Sequence, residues 1–278
     1  MMLLALAVTG RGVVDPGEPV VHADDEAVLR GRAAFETLRV YDGRPFRLAE
    51  HLDRLAASAA RIDLPVPDRA ELERLGVAAL EAAGAPDAVL RFLWTAGREE
   101  GAPLGAALVS AIPSSVDEWR ARGIRLVSLL GVRADVPWLL GGVKATSYAV
   151  NMAADAEAKR RGADDAVFVD PAGVVLEGPV TNVWWRRGET LFTPALGLGV
   201  LAGVTRGVLA ADAPRFGYRV EEGVFTLDDL ASADEAFTSS SVREVLPVVS
   251  LDGDPIGGGA PGPAARALQE ALRGAATR

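Results

Sequence analysis

Between Ala33 and Ile62 the hydrophobic period of this chain changes from two to about 3.6, and that change constrains the fold most. The stretch "AAFETLRVYDGRPFRL" alternates around Phe35, Thr37, Arg39 and Tyr41, with Asp42-Gly43 as a hairpin turn pair. Directly after it, Leu48, Leu52, Leu55, Ala59 and Ile62 recur at helical spacing until Pro65 and Pro67. Asp68 and Glu71 form a capping-box pattern for a further helix, with Gly84 as its stop. "AVLRFLWTAG" and "GAALVSAI" read as paired strands, and Leu3 to Val8 as a short buried one. Strands interleaved with helices predict an α/β or α+β architecture.

The same alternation of elements continues to the C-terminus. "PSSVDEWRARG" reads as a linker, which predicts an N-terminal α/β domain at 1–115, a linker at 116–123 and a C-terminal domain at 124–278. In the second part a strand is expected at Ile124–Leu130 and a helix from about Ser147 to Arg161 with Gly162 at its end. Three short strands follow in "DDAVFVDPAGVVLEGPVTNVWWRRGETLF". A glycine turn then enters a helix at "GVLAGVTRGVLA", and the tail holds one amphipathic helix.

Composition removes several chemistries. The chain has no cysteine, so disulfides, thiolate catalysis and thiolate metal sites are excluded. With only His22 and His51, a histidine-rich metal centre is not expected. A net charge of -9 without a basic stripe argues against nucleic acid and anionic membranes as partners. "MMLLALAVTG" lacks a basic leader and soon meets Arg11 and Asp15, which fits a core strand rather than a signal peptide or membrane span. A soluble cytoplasmic protein is the expectation.

Lysine is rare: Lys144 and Lys159 are the only two. Lys159, in "AKRRG", reads as a solvated helix end. Lys144, in "GGVKATSYAVN", sits among small residues with no charged neighbour. Desolvation there disfavours the ammonium, and a neutral amine is a nucleophile that can form an imine. Arginine cannot do this. An ordinary snorkelling lysine satisfies the same local sequence. Gly199, Gly203 and Thr205 lead into a helix start that suits an anion or simply a capped turn. "TSSSVRE", Thr238 to Glu244, offers hydroxyls to a phosphate or to solvent. Arg54 in "EHLDRL" is a candidate phosphate clamp or a solvated helix arginine. Glu177, before Gly178-Pro179, is placed to hold a protonated ring nitrogen or to end a strand. An imine lysine, phosphate donors and an acid for a pyridine nitrogen are together the needs of pyridoxal phosphate.

From "FETLRVYDGRPFRLAEHLDRL" to "SSSVREVLPVVSLDG" the chain resembles the class IV pyridoxal-phosphate aminotransferases. These include D-amino-acid transaminases, branched-chain transaminases and aminodeoxychorismate lyases. The motifs arrive in family order: "HLDRL" with Arg54, "VKATSYAVN" with Lys144, "LEGPVTNVWW" with Glu177, "GVTR" with Val204 and Thr205, and "SSSV" with Ser241 and Val242. The resemblance implies a fold type IV enzyme of two domains with the cofactor between them, the C-terminal one cofactor-binding, in a homodimer. It implies that Lys144 carries the cofactor as an imine, and that Arg54, the amides of Val204 and Thr205, and Ser241 contact phosphate. It assigns Glu177 to the pyridine nitrogen and places Tyr148 and Asn182 near the cofactor.

Two departures from the family bear on substrate. The "GDG" that often precedes "FE" is "RGRAAFE" here, and the "R-x-H" carboxylate trap of D-amino-acid transaminases is absent from "TAGREEGAP". A substrate carboxylate is therefore expected to meet Arg32, Arg98 or Arg243, beside Phe35 and Thr37. The expected reaction is amino transfer between an amino acid, with D-amino acids favoured, and a 2-keto acid. Release of pyruvate from 4-amino-4-deoxychorismate is the alternative.

Overall fold

The computed structural model describes residues 2–98, 101–131 and 140–276. The chain divides into two compact units, Met1–Pro113 with Val143–Tyr148, and Ser114–Gly142 with Ala149–Arg278.

The first unit is built on an antiparallel six-stranded sheet. Its strands are β1 (Leu3–Val8), β2 (Gly12–Val14), β3 (Ala33–Tyr41), β4 (Arg44–Pro45), β5 (Ala88–Thr95) and β6 (Leu104–Ser110), in the order β2-β1-β6-β5-β3-β4. The short helix α1 (Glu26–Leu29) precedes β3. Asp42 and Gly43 join β3 to β4 with φ of 47° and 75°, the left-handed pair that a two-residue hairpin requires. Helices α2 (Leu48–Arg61) and α3 (Arg69–Ala83) pack on the sheet. Asp68 caps α3 by accepting from the Glu71 amide, and Gly84 ends it with φ of 60°. Period-two geometry sends Ala34, Leu38 and Val40 into a core with Leu55, Leu72, Leu90 and Phe92. Glu36 shares their face of β3. Phe35 and Thr37 take the other.

The second unit holds a mixed eight-stranded sheet. In chain order it comprises α4 (Ser115–Arg122), β7 (Ile124–Leu130), α5 (Ala149–Arg160), β8 (Asp165–Val169), β9 (Asn182–Arg187), β10 (Thr190–Pro194) and α6 (Val204–Asp212). Then come β11 (Arg219–Gly223), α7 (Leu227–Ala231), β12 (Glu235–Ser240), β13 (Glu244–Leu251), β14 (Asp254–Pro255) and α8 (Pro263–Ala276). The strand order is β11-β10-β9-β12-β13-β7-β8, with β14 on β13. Ile124, Leu126, Val167, Trp185, Leu246 and Val248 centre its core.

Residues 116–123, expected as a linker, fall in α4 and the glycine that ends it. Val116 is buried, and Arg120 pairs with fully buried Glu244, so this segment is fastened to the second unit. Val143–Tyr148 lies within the stretch expected as the C-terminal domain, yet it associates with the first unit. Backbone pairing explains this: Ala145 forms an antiparallel bridge with Ala34 beside the start of β3. Among the described residues, no helix is long and apolar enough to cross a membrane, and no group of acidic and histidine side chains is arranged to hold a metal ion.

Candidate active site

The first unit brings Lys144 to β3 through the backbone. The Phe35 amide donates to the Lys144 carbonyl (3.1 Å) and the Thr146 amide to the Ala33 carbonyl (2.8 Å). The Lys144 amide donates to Ser58 Oγ (3.1 Å), and Thr146 Oγ1 to the Gly31 carbonyl (2.8 Å). Gly31 is required at this crossing. Its φ is 67°, and a Cβ there would lie 2.9 Å from the Ser147 backbone.

These contacts set the lysine amine over an aromatic face. Lys144 Nζ lies 4.2 Å from the centroid of the Phe35 ring. Tyr148 meets the same ring edge-on at 5.5 Å. The guanidinium of Arg91, on β5, is 5.7 Å from it, and Arg91 Nε donates to Thr37 Oγ1 (3.2 Å). Phe35, Thr37, Lys144 and Tyr148, four of the residues expected from the sequence, are thus gathered with a fifth that was not. Burial lowers the Arg91 guanidinium from its ordinary value, opposed only by Tyr148. Among the described residues no carboxylate pairs with it. The signal in the sequence was a lone charge inside the apolar strand "AVLRFLWT".

The three arginines expected to hold a carboxylate are engaged elsewhere. Arg32 donates from Nε to the Ile62 carbonyl (2.9 Å) and from Nη2 to that of Asp63 (2.5 Å), and it pairs with Glu26, so it ties the end of α2 to the strand. Arg98 pairs with Asp24 at 3.0 Å on the surface. Arg243 pairs with buried Asp165 and lies 5.0 Å from the Trp119 ring centroid. Burial raises the Asp165 carboxyl, and Arg243 opposes that rise. Each arginine therefore already satisfies a local acceptor.

On the opposite face of β3, Glu36 has no solvent exposure. It accepts from Arg54 Nε (2.7 Å) and Nη2 (2.8 Å), and its Oε2 is 2.7 Å from His51 Nδ1. Burial raises the Glu36 carboxyl, but the hydrogen bonds of Arg54 and His51 outweigh it and hold the group at about 2 against an ordinary 4.5. The unfolded chain thus takes up this proton at higher pH than the folded one. Stability from Glu36, on the order of 3 kcal/mol, is fully present above about pH 4.5 and is lost as pH falls toward 2. In Glu36→Gln that acid limb should flatten when urea midpoints are followed against pH. A limb as steep as wild type would assign the acid loss to other groups.

The second unit presents a different set. Glu177 lies in the irregular segment between β8 and β9 rather than at a strand end, with its carbonyl accepting from the Phe168 amide (2.8 Å). Its buried carboxylate Oε2 accepts from the Leu201 amide (2.9 Å) and, more weakly, from Asn182 Nδ2 (3.4 Å). Asn182 Nδ2 also donates to the Leu201 carbonyl (2.9 Å), which locks "LEGPVTN" to "LAGVT". Gly203 permits that lock, because a Cβ there would strike Asn182 Oδ1 at 2.1 Å. Gly203 is the N-cap of α6 with no side-chain cap, so the amides of Val204 and Thr205 form an uncapped helix start. Ser241 and Val242 lie in the turn from β12 to β13. Trp184 Nε1, on β9, donates to Ser239 Oγ (3.0 Å) near that turn.

In chemistry these groups fit pyridoxal phosphate. Lys144 offers an amine held by backbone on both sides, and Glu177 a buried carboxylate whose position is set by an amide. The uncapped start of α6, kept open by a glycine, suits a phosphate.

A family model described as amino-transferase class IV matches residues 33–251. A bifunctional aminodeoxychorismate lyase / D-amino acid transaminase of Mycobacterium tuberculosis is 37% identical over 257 residues, covering 87% of this chain and 89% of that protein. A hypothetical aminotransferase from Mycobacterium tuberculosis, solved in a PLP-bound form, superposes with a TM-score of 0.90 at 34% identity, covering 98% of both chains. A fold IV transaminase from Curtobacterium pusillum does so at 0.87 with 36% identity, covering 97% of both. On the match of the family model and these relatives, this chain belongs to the class IV aminotransferases, fold type IV enzymes whose cofactor is pyridoxal phosphate.

Proposed function

We propose that this enzyme transfers the amino group of an α-amino acid, D-amino acids first, to a 2-keto acid. The observation that carries this reading is the placing of Arg91 and Lys144 on one aromatic ring, Phe35. An α-carboxylate is one bond from the carbon that loses its proton, so its cationic partner must stand near the amine that takes the proton. Arg91 is a desolvated guanidinium with no acid partner among the described residues, and its fork suits a carboxylate. The D-amino acid preference is supported by the relative from Mycobacterium tuberculosis, whose name includes that activity.

Bound pyridoxal phosphate supplies an electron sink for the pair left at the α-carbon. Lys144 supplies the attaching amine, and its Nζ then holds and moves the α-proton. Glu177 would keep the pyridine nitrogen protonated. Arg54, the amides at the start of α6, and Ser241 would hold the phosphate. Phe35 lies under the amine, with Tyr148 against its ring edge.

Glu177→Gln should leave the protein folded, since an amide oxygen still accepts from Leu201, yet slow the half-reaction by roughly a hundredfold or more. A wild-type rate in stopped flow would make Glu177 a structural residue.

A lyase reading has one observation of its own. Thr37 Oγ1 accepts from Arg91, whose guanidinium shares the Phe35 ring with the Lys144 amine, and a hydroxyl so oriented suits proton transfer to a leaving enolate. Mixing holoenzyme with D- and L-alanine or glutamate, then with 4-amino-4-deoxychorismate, separates the two. Amination of the cofactor by D-amino acids supports the transaminase. Reaction with L-amino acids alone removes the D-preference. Pyruvate release without any half-reaction replaces the transaminase with the lyase.

A further inference from the structure

We propose that Glu36 is a positioning residue for the cofactor's phosphate, acting through Arg54 with His51 as its second support. The proposal rests on Arg54 being a phosphate donor.

Glu36 sits on β3, paired in register with Phe92 of β5, and is wholly buried. It takes the Nε and Nη2 edge of Arg54 as a two-point fork, at 2.7 and 2.8 Å. Such a fork fixes the guanidinium plane as well as its place. The fork thereby sets the orientation in which the guanidinium would meet a phosphate. His51 and Arg54 are three residues apart on α2 and share one face, so both reach Glu36 from the same helix.

Electrostatics alone would argue against this arrangement. A carboxylate beside an arginine offsets part of the charge that attracts a phosphate dianion. A buried ion pair is also no dependable source of stability, because desolvation opposes it. What Glu36 contributes is order. An arginine side chain loses rotamer entropy when held in one geometry. With Glu36 present that loss is taken at folding, not at cofactor binding. Consecutive residues of one strand then serve two ends of one ligand: Phe35 orients the amine on one face, and Glu36 orients the guanidinium on the other.

The test is a double-mutant cycle on the purified full chain stripped of cofactor. Dissociation constants are measured for pyridoxal phosphate and for pyridoxal, which keeps the aldehyde and lacks the phosphate. Arg54→Ala should weaken pyridoxal phosphate and spare pyridoxal. Glu36→Gln should do the same, by about tenfold. In the Arg54→Ala background, Glu36→Gln should add nothing, since its route is already removed. If Arg54→Ala narrows the preference for the phosphate form while Glu36→Gln leaves it at the wild-type value, the positioning role is overturned and Arg54 stands. If Arg54→Ala leaves the preference unchanged, the phosphate role of Arg54 falls and takes this proposal with it. Equal weakening of both ligands by Glu36→Gln would mark Glu36 as a core residue only. Should Glu36→Gln fail to fold, His51→Leu removes one support of Glu36 and should give a smaller loss confined to pyridoxal phosphate, with His51→Asn restoring it. A wild-type preference in His51→Leu would then overturn the proposal.

Discussion

Lys144→Ala should fold normally and lose turnover by about four orders of magnitude or more. The fold survives because the segment is held by backbone groups that alanine keeps. The Lys144 carbonyl still accepts from Phe35, and its amide still donates to Ser58. What disappears is a half-buried amine over an aromatic ring, a contact of roughly 0.5–2 kcal/mol. Turnover is lost because no neighbouring group can replace the amine. The one other lysine, Lys159, is exposed and paired with Asp155 at 2.6 Å on α5, in the other unit. Borohydride reduction of the holoenzyme followed by peptide mapping checks the assignment directly, since a chain with two lysines offers two possible labelled peptides. Label on the peptide of Lys159 would sink the assignment. So would a Lys144→Ala protein with normal circular dichroism and wild-type turnover.

The parts of the fold legible in the sequence are those where local chemistry leaves one choice. Asp42-Gly43 could be read as a hairpin because few residue pairs accept left-handed φ at both positions. Asp68, Glu71 and Gly84 marked both ends of α3 for similar reasons. "VVLE" was less legible. Its apolar run reads as a strand, but Val174 and Val175 make only isolated bridges, to Thr226 and Val169, and the backbone leaves regular pairing before Glu177. The helix at 115–122 was hidden by a polar composition typical of linkers, because its attachment through Val116 and Arg120 depends on Glu244, more than a hundred residues later.

The site divides along the same line. Lys144 was legible because an amine among small residues, in a chain that otherwise uses arginine, requires explanation. Glu36 left only a faint mark, a charge on the apolar phase of the β3 alternation. Its two partners are one helix away, and a single sequence does not display which helix face meets which strand. Arg32 and Arg243 were attractive because they flank recognisable motifs. Proximity along the chain said nothing of Ile62, Asp63 and Asp165, the distant groups that occupy them. Arg91 was obscured for the converse reason. It becomes a neighbour of Thr37 only through the pairing of β5 with β3.

That pairing leads to the second large effect, on Arg91→Ala. An α-carboxylate entering a partly dry site needs a positive partner, because an unpaired buried charge is costly. Arg91 is itself a desolvated cation, tethered by one hydrogen bond to Thr37 and with no carboxylate of its own among the described residues. Its removal should take away a charge-assisted pair of about 1.5–3 kcal/mol. The ratio kcat/KM for α-amino acids should therefore fall about tenfold to a hundredfold or more. A primary amine without a carboxylate never uses the pair, so its kcat/KM should be nearly unchanged. Arg91→Lys should recover part of the loss, since it restores charge without the planar fork. Arg243→Ala supplies the comparison, because its guanidinium is committed to Asp165 and Trp119 and should show no such selectivity between substrates. If Arg91→Ala weakened both substrate classes equally, Arg91 would be supporting the ring of Phe35 rather than the substrate. If Arg243→Ala alone separated the two classes, the carboxylate would be held at the end of β12, and the ion pair with Asp165 would have to open to receive it.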